Sequence, residues 1–325
     1  MNWGGGGRKL MPDNSAMKQQ KLPAHQLHFS ARVVLTIFFA TGVFCFCMGV
    51  ILILSAQSIQ EIEVCPILLY LFFWYWGLNP GGDVYMYYKL YGFYQNHYRY
   101  VLSRSNNQLV GKDIMVRDVE DCAPFKVSQN KTPIAPCGAI ANSMFNDTII
   151  LSYTLKSSVH IQVPMLKTEL TWWTDKYVKF QNPSLINLSD RFVGTEKPPY
   201  WQAPIYELDT SDPGNNGFLN DDFIVWMRTA AFPTFKKLYR RLYRVQYFMD
   251  GLPAGNYSFN ISYNFPVTRI KGEKSVVLST LTWSGGSSLF LGLAYTVTGA
   301  FLWLASFALM AIHMTMKKKK LSYRR

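Results

Sequence analysis

Histidine and acidic residues are scarce in this chain, whose 325 residues include five histidines and 20 acidic side chains against 33 lysines and arginines. A Ser-His-acid or Cys-His arrangement needs a histidine. His97 and His160 are the two histidines between the hydrophobic runs described below, and neither lies in a nucleophile elbow or another known local signature. The sequence also lacks a Walker motif, a glycine-rich phosphate loop and a paired zinc motif. We therefore predict that the chain is not an enzyme.

A complete calcium-binding loop is also lacking. The segment Asp212–Gly217 resembles the start of one, with Asn216 and Gly217 at the fifth and sixth positions. Its third and twelfth positions are Gly214 and Phe223, which lack the oxygen ligands that calcium requires there. A turn is the better interpretation, and we predict no metal and no cofactor.

Charge is absent from two long runs. One extends from Val33 to Ser55 over 23 residues and the other from Leu289 to Ile312 over 24 residues, whereas a bilayer core needs about 20. A third apolar run, Ile67–Leu78, has 12 residues and is more typical of buried core or of an interfacial segment. The first run follows 32 mostly polar residues and exceeds the roughly 7–15 residues of a signal peptide. We predict two membrane spans, the first an uncleaved signal anchor.

The basic excess lies beside these two runs. Residues 1–32 carry five basic side chains and one acidic one, and residues 313–325 carry six basic ones, so the tails hold +10 of the net charge of +13. This pattern is typical of membrane flanks rather than of nucleic-acid binding, and by the positive-inside rule both tails are cytosolic. The run Lys317–Lys320 has the composition of a lipid-binding patch, but anchoring of the second span explains it. Residues 56–288 are then expected to form one domain outside the cytosol.

Sequons and cysteines agree with this topology. All five Asn-x-Ser/Thr sequons lie between the spans and are predicted glycosylation sites: Asn130, Asn146, Asn187, Asn256 and Asn260. Cys45 and Cys47 lie within the first span, where a small apolar thiol needs no further role. Cys122 and Cys137 are expected to form a disulfide worth about 3 kcal/mol. Cys65 is left over, which indicates a missing partner or an intermolecular bond.

Alternating residues predict strands in the domain between the spans. In Tyr257–Phe265 apolar side chains alternate with Ser and Asn, which places the sequon Asn260 on the solvent face. Ile149–Leu155 and Val159–Val163 alternate likewise and suit antiparallel pairing. A Lys-Gly-Glu break before Val276–Trp283 predicts a hairpin with the first of these strands, leading into the second span. We expect a mainly antiparallel β domain with some short helices.

A helix is predicted from Asp221 to Arg244, capped by Asn220 or Asp221 and divided in two by Pro233. In its second half four basic side chains recur at helical spacing: Lys237, Arg240, Arg241 and Arg244. Such a face is usually just solvated, although it could also contact acidic loops of a partner or lipid headgroups.

Neither predicted span contains Asp, Glu, Lys, Arg or His, which argues against a solute or ion pathway formed by this chain alone. Each span has two glycines seven residues apart, Gly42 and Gly49 in the first and Gly292 and Gly299 in the second. Small residues on one face let helices approach closely. The glycines indicate a docking face for partner helices, although glycine is also common in spans generally.

Several blocks of sequence, together with the two-span topology, resemble one family. The blocks are Pro12–Pro23 (PDNSAMKQQKLP), Phe93–His97 (FYQNH), Pro133–Thr148 (PIAPCGAIANSMFNDT), Trp172–Pro183 (WWTDKYVKFQNP) and Asn215–Arg240 (NNGFLNDDFIVWMRTAAFPTFKKLYR). They look like the cell-cycle-control protein 50 family, also called the transmembrane protein 30 family, the accessory β-subunits of type IV P-type ATPase phospholipid flippases. The resemblance covers nearly the whole chain.

The resemblance implies a partner and a role. The partner would be the ATPase catalytic subunit, which itself carries the nucleotide chemistry and the lipid path. The accessory subunit would be needed for folding, exit from the endoplasmic reticulum and activity in moving aminophospholipids to the cytosolic leaflet. Its β domain would cap the ATPase on the exoplasmic side, and its spans would pack against the ATPase membrane domain. Expected locations are the endoplasmic reticulum, Golgi, secretory vesicles and plasma membrane.

Individual residues also match the family. Cys122 and Cys137 match a family disulfide, and Asn146 and Asn260 match family glycosylation positions. The segment Pro12–Pro23 resembles an N-terminal tail that runs along the membrane and touches the cytosolic side of the ATPase.

One segment departs from the family pattern. Between the first span and Val84–Tyr88 the family usually has a longer polar stretch with clustered cysteines, whereas here Cys65 stands before an apolar run. The segment Cys65–Gly82 indicates a divergent paralogue or a replaced region. Two other function classes stay open: an independent glycosylated cell-surface receptor or adhesion protein, and an ectoenzyme that depends on His97 or His160.

Overall fold

The computed structural model describes residues 15–21, 30–65, 71–76, 82–112, 120–156, 159–183 and 187–323. They form two compact units, here called the helix-pair unit, within residues 1–53 and 290–325, and the central unit, within residues 54–289. In the described residues the α-helices are α1 (Ala31–Gln57), α2 (Tyr98–Leu102), α3 (Asn106–Leu109), α4 (Ala139–Asn142), α5 (Leu188–Arg191), α6 (Asp221–Met227) and α7 (Phe290–Ser322). The strands are β1 (Glu61–Val64), β2 (Leu71–Trp76), β3 (Val84–Tyr91), β4 (Thr148–Lys156), β5 (Val159–Gln162), β6 (Met165–Leu166), β7 (Phe235–Leu242), β8 (Gly255–Ser262) and β9 (Glu273–Thr280).

The two uncharged runs form the two long helices. α1 has 27 residues and α7 has 33, and at about 1.5 Å per residue each exceeds the roughly 30 Å of a bilayer core. Both are apolar enough to cross a membrane, in agreement with the prediction of a membrane protein with two spanning helices. α7 continues past Ile312 through the lysine run to Ser322, because lysine is a good helix former and neither proline nor glycine interrupts it.

The central unit is built on two antiparallel sheets. Among the described residues the strand order is β1-β9-β3-β7-β6 in one sheet and β2-β8-β4-β5 in the other. Every pairing between these described strands is antiparallel, which confirms the predicted fold class. β4 and β5 pair as their alternation predicts. β2 pairs with β8, so this part of the third apolar run is sheet and not a span; residues 67–70 and 77–78 of that run lie outside the described residues.

The alternation predicted for Tyr257–Phe265 is largely confirmed by β8. Its apolar side chains are buried: Tyr257, Phe259 and Ile261. Asn260 is exposed, as predicted. The prediction for Tyr263 is wrong, since this side chain is 43% exposed because the strand ends at Ser262.

The predicted hairpin between this strand and Val276–Trp283 is wrong. β8 pairs with β2 and β4, whereas β9 pairs with β1 and β3 in the other sheet. β9 is buried continuously from Lys274 to Ser279, as is typical of a strand that is covered on both faces. Between the two strands lies a 3-10 turn at Thr268–Ile270, followed by Lys271 in the left-handed conformation with φ of 52°.

The predicted helix from Asp221 to Arg244 is confirmed in its first half only. α6 has seven residues, and Asn220 caps it by accepting a hydrogen bond from the backbone N–H of Phe223 (3.0 Å). Residues Phe235–Leu242 instead form β7, which lies between β3 and β6. Pairing along both edges overrides the local helical spacing, and the β-bulge in the β3–β7 pairing interrupts strict alternation there.

The predicted solvated basic face is therefore wrong as well. Three of its cations lie in ion pairs: Arg240 with Asp222, Arg241 with Glu169 and Arg244 with Asp83. The fourth, Lys237, is only 7% exposed, and burial lowers its pKa well below the usual value. Its Nζ donates to the carbonyls of Val225, Trp226 and Arg228 at 3.0, 2.6 and 2.8 Å. Lys237 thus satisfies acceptors that the end of α6 leaves free.

Aromatic side chains fill the core beside α6. Tyr88 stacks on Phe145 with ring centroids 4.0 Å apart, and burial raises the pKa of Tyr88 well above its usual value. Trp226 is fully buried, and its Nε1 donates to the carbonyl of Ile140 (2.7 Å). Ile140 belongs to α4, so this bond holds α6 against α4 in the core. It thereby positions the polar residues in the first turn of α6.

Candidate functional site

Asp221, in the first turn of α6, is the centre of a buried polar network. It is fully buried and accepts hydrogen bonds from the backbone N–H of Leu170 (2.8 Å) and from Nζ of Lys176 (2.6 Å). Lys176 belongs to a π-helical turn that spans Asp175–Lys179. The ion pair therefore anchors this turn to α6.

A second buried carboxylate fixes the same turn. Asp175 is 5% exposed and pairs with Lys179 at 2.6 Å and with Arg228 at 3.3 Å. Arg228 directly follows α6. The π-helical turn is thus tied to both ends of α6, although its own length is only five residues.

Large aromatic side chains on this anchored turn and just before it project into solvent. Trp172 is 69% exposed, Trp173 68% and Tyr177 59%, and the guanidinium of Arg228 lies 5.6 Å from the ring centroid of Trp172. We call Trp172, Trp173, Tyr177, Val178 and Arg228 the tryptophan surface. Exposed aromatics beside arginine are typical of contact surfaces. The sequence has all of these residues except Arg228 in the block Trp172–Pro183, but the block alone does not reveal that they are exposed.

The segment that resembles a calcium loop is a pair of 3-10 turns, Pro213–Asn215 and Gly217–Leu219, which confirms the prediction of a turn. Its side chains bind the protein itself: Asn215 Nδ2 donates to Asp209 (2.9 Å), and Asn216 Nδ2 donates to the carbonyl of Tyr206 (2.6 Å). In the part of the chain that the structure describes, no three His, Cys, Asp or Glu side chains are grouped to hold a metal ion.

Asp209 is expected to make stability depend on pH. Burial alone would raise its pKa, but hydrogen bonds from Lys167, Ser211 and Asn215 outweigh this and hold the pKa of Asp209 well below its usual range. A carboxyl with a lowered folded pKa stabilises the fold above its unfolded pKa of about 3.9, and the contribution is lost as the pH falls through the folded value. The variant Asp209→Asn should therefore unfold at a lower temperature at neutral pH, and the difference should shrink below about pH 4. Thermal unfolding of both proteins across this range checks the prediction, which a pH-independent difference would contradict.

A cavity of about 270 Å³ opens beside Asn146. Its described walls include Tyr200, Trp201 and the bidentate pair of Arg240 with Asp222, whose two hydrogen bonds measure 2.7 and 3.1 Å. Burial raises the pKa of Asp222, against the opposing attraction of Arg240. Among the described lining residues there is no histidine, cysteine or serine, so they contain neither a Ser-His nor a Cys-His pair.

The glycine faces of the two long helices meet each other. A Cβ added at Gly49 would lie 2.6 Å from the backbone N of Thr296, and one at Gly299 would lie 2.7 Å from the backbone N of Phe46. Trp303 packs beside Gly42 and stacks on Phe46 with ring centroids 5.1 Å apart. The docking face that the glycines indicate is therefore occupied by the other helix of this chain.

The opposite faces of the helix pair are apolar and exposed. On α1 they include Ile37, Phe44 and Ile51, and on α7 Phe301, Leu304 and Phe307, all between 47% and 68% exposed. These faces are available to lipid or to the helices of a partner.

The predicted glycosylation sites are distributed over the central unit. The exposed ones are Asn130, Asn187, Asn256 and Asn260. Asn256 and Asn260 are both on β8, four residues apart and hence on the same face. Asn146 is half-buried and lines the cavity described above.

The remaining candidate residues do not form a common site. Cys122 and Cys137 are joined by a disulfide with Cα atoms 5.6 Å apart, while Cys65 is an exposed free thiol. His97 precedes α2, and His160 lies on β5, where Nδ1 is 3.1 Å from Oγ1 of Thr154. The two histidines thus occupy separate elements.

Comparison with known proteins identifies the family of this chain. Residues 79–319 match the profile of the "LEM3 (ligand-effect modulator 3) family / CDC50 family". Similar proteins include Cell cycle control protein 50C of Macaca fascicularis, 68% identical with 96% of each chain covered. Cell cycle control protein 50A of Rattus norvegicus is 45% identical over 95% of this chain and 90% of the relative, and Cell cycle control protein 50B of Homo sapiens is 41% identical with 97% of each covered. These matches confirm the resemblance seen in the sequence, and the chain belongs to the CDC50 family.

Proposed function

We propose that this chain is the accessory β-subunit of a type IV P-type ATPase phospholipid flippase, needed for folding, endoplasmic reticulum exit and activity of the catalytic subunit. Membership of the CDC50 family carries the proposal. The helix pair also supports it. The glycine faces of α1 and α7 pack against each other, which leaves their exposed apolar faces free to pack against the helices of a partner. ATP hydrolysis and the path of the aminophospholipid toward the cytosolic leaflet would belong to the ATPase.

In this role both tails lie in the cytosol and the central unit lies on the exoplasmic side. The basic residues beside the helices support this orientation, and the exposed sequon asparagines would carry glycans into solvent. The turn at Ser15–Lys21, in which the N–H of Lys21 bonds to the carbonyl of Ala16 (2.8 Å), would belong to the tail that contacts the ATPase in the cytosol. The complex would pass from the endoplasmic reticulum through the Golgi and secretory vesicles to the plasma membrane.

The tryptophan surface is the proposed contact of the central unit with the ATPase. Tryptophan, tyrosine and arginine are enriched at the centres of protein interfaces. Changing Trp172 and Trp173 together to alanine should weaken association with a co-expressed type IV P-type ATPase by about 2 kcal/mol, which is roughly 30-fold, and should retain the ATPase in the endoplasmic reticulum. Co-purification and the glycan maturation of the complex measure both effects.

Tyr247→Ala is the control, because Tyr247 is 64% exposed and lies on a separate 3-10 turn, Gln246–Phe248. It is expected to leave association unchanged. Equal losses from the double variant and the control, at equal thermal stability, would exclude the tryptophan surface as the contact. Absence of any association for the unmodified chain would exclude the subunit role, and a soluble ligand that binds the protein without an ATPase would favour a receptor.

A further inference from the structure

The helix-pair unit has a groove at the end where its basic residues lie. The groove has a volume of about 520 Å³ and is formed by the start of α1 and the end of the apolar part of α7. Its lining residues are Ala31, Val34, Leu35, Leu309, Ile312, His313, Met316 and Lys317.

The walls of this groove are two regular stripes, one on each helix, which are apolar except for His313 and Lys317 of α7. The three residues from α1 follow the spacing i, i+3, i+4, and the five from α7 follow i, i+3, i+4, i+7, i+8, so each set lies on one face of its helix. Ile312 is 59% exposed and Met316 60%. The α7 stripe therefore offers apolar surface that is not covered by the other helix.

Positive charge lines one end of the groove, and no Asp or Glu in the described parts of the helix-pair unit balances it. Lys317 is a lining residue and begins the run of four lysines in α7. The described parts of the helix-pair unit, residues 15–21, 30–53 and 290–323, contain neither Asp nor Glu. A lysine that extends its stem along apolar surface places its ammonium at the polar boundary, where the available counter-ion in a membrane is a lipid phosphate.

We propose that this groove binds one anionic glycerophospholipid. An acyl chain lies along the apolar stripes, the headgroup phosphate contacts the ammonium of Lys317, and the imidazole of His313 supplies a further polar contact. The apolar walls favour a lipid over a soluble phosphate. The cationic end favours a lipid with a net negative charge over a zwitterionic one, because the phosphate of the zwitterionic lipid is balanced by its own ammonium. This binding requires no ATPase, so it stands or falls independently of the subunit role.

The test uses the full chain in phosphatidylcholine nanodiscs that contain a photoactivatable phosphatidylserine analogue. Cross-links mapped by mass spectrometry are expected at the start of α1 and at residues 309–317 of α7. Unlabelled phosphatidylserine should compete about fivefold better than phosphatidylcholine, the effect of one lysine near a membrane surface. Inorganic phosphate should not compete. The variant Lys317→Gln should lose the preference for phosphatidylserine.

Lys319→Gln is the matched control, since it removes the same charge two residues further on, about 200° around the helix, from a side chain that does not line the groove. It should keep the preference, while Val34→Phe, which fills the groove, should reduce capture of both lipids. Equal competition by phosphatidylcholine would show an ordinary annular lipid. Equal loss in the two lysine variants would show a diffuse charge effect, and competition by inorganic phosphate would show a site for a soluble anion; each of these results would overturn the proposal.

Discussion

Changing Asp221 to alanine is expected to lower the free energy of unfolding of the central unit by about 3–5 kcal/mol, because Lys176 would keep a largely buried charge without its partner. The side chain of Asp221 is fully buried and that of Lys176 is 15% exposed. The backbone N–H of Leu170 would also lose its acceptor. Thermal unfolding of the purified chain, followed by circular dichroism, measures the loss, and the fraction of chain that leaves the endoplasmic reticulum should fall with it.

Glu169→Ala provides the control for this prediction. Glu169 pairs with Arg241, but its side chain is 75% exposed, and pairs of this kind contribute less than about 1 kcal/mol. The double variant Asp221→Asn with Lys176→Met removes both charges and should recover part of the stability. If Asp221→Ala lowered the free energy of unfolding no more than Glu169→Ala does, the buried pair would not be a main source of stability.

Changing Gly49 to leucine is expected to force α1 and α7 apart. Its Cβ would lie 2.6 Å from the backbone N of Thr296 and 2.9 Å from the carbonyl O of Gly292. Backbone atoms cannot rotate away as a side chain can, so the helices must separate, at a cost of about 1–3 kcal/mol or more. We expect a lower midpoint of thermal aggregation in detergent and reduced capture of a co-expressed ATPase, because the exposed faces would no longer keep their spacing.

Val50→Leu tests whether this effect is specific to the glycine face. Val50 is the next residue along α1 but is 38% exposed, so a larger side chain there meets no helix of this chain. Both the aggregation midpoint and ATPase capture should change much less than with Gly49→Leu. If Val50→Leu instead abolished capture while leaving the midpoint unchanged, the outer face rather than the glycine face would be the more sensitive part of the partner contact.

Local sequence patterns predict those elements whose structure depends mainly on one physical effect. The two long helices follow from hydropathy alone. β4 and most of β8 follow from alternation because each has a buried and a solvated face. The alternation of β5 also predicts a strand, but Val159 on its apolar face is 49% exposed. The Asn220 cap was also predictable, since it depends on a residue next to α6.

Other features depend on contacts that are distant in sequence. Residues Phe235–Leu242 have basic side chains at helical spacing, but pairing with β3 and β6 makes them a strand. β9 follows β8 closely in sequence yet joins the other sheet. Its nearly continuous burial is typical of a strand that is covered on both faces, whereas β8 alternates more and keeps Asn256 and Asn260 exposed. The pair of Asp221 with Lys176 joins residues 45 positions apart, and no local pattern identifies it.

The segment that departs from the family pattern lies at the border of a sheet. β2 is the outer strand of the four-stranded sheet and pairs only with β8 among the described strands, and Cys65, just before it, is exposed. An outer strand can change with less effect on its sheet than a central one, because it has a single neighbour. We infer that this region can differ from the family while the ion pairs and hydrogen bonds that hold α6 and the tryptophan surface in place are retained.

Affinity purification of the tagged full-length chain from native membranes, with identification of everything that accompanies it, tests the central claim most directly. The account predicts that a type IV P-type ATPase is recovered with the chain in a fixed ratio, and that recovery falls when Trp172 and Trp173 are changed to alanine. Recovery of the chain without any such ATPase, from membranes in which one is shown to be present, would contradict it.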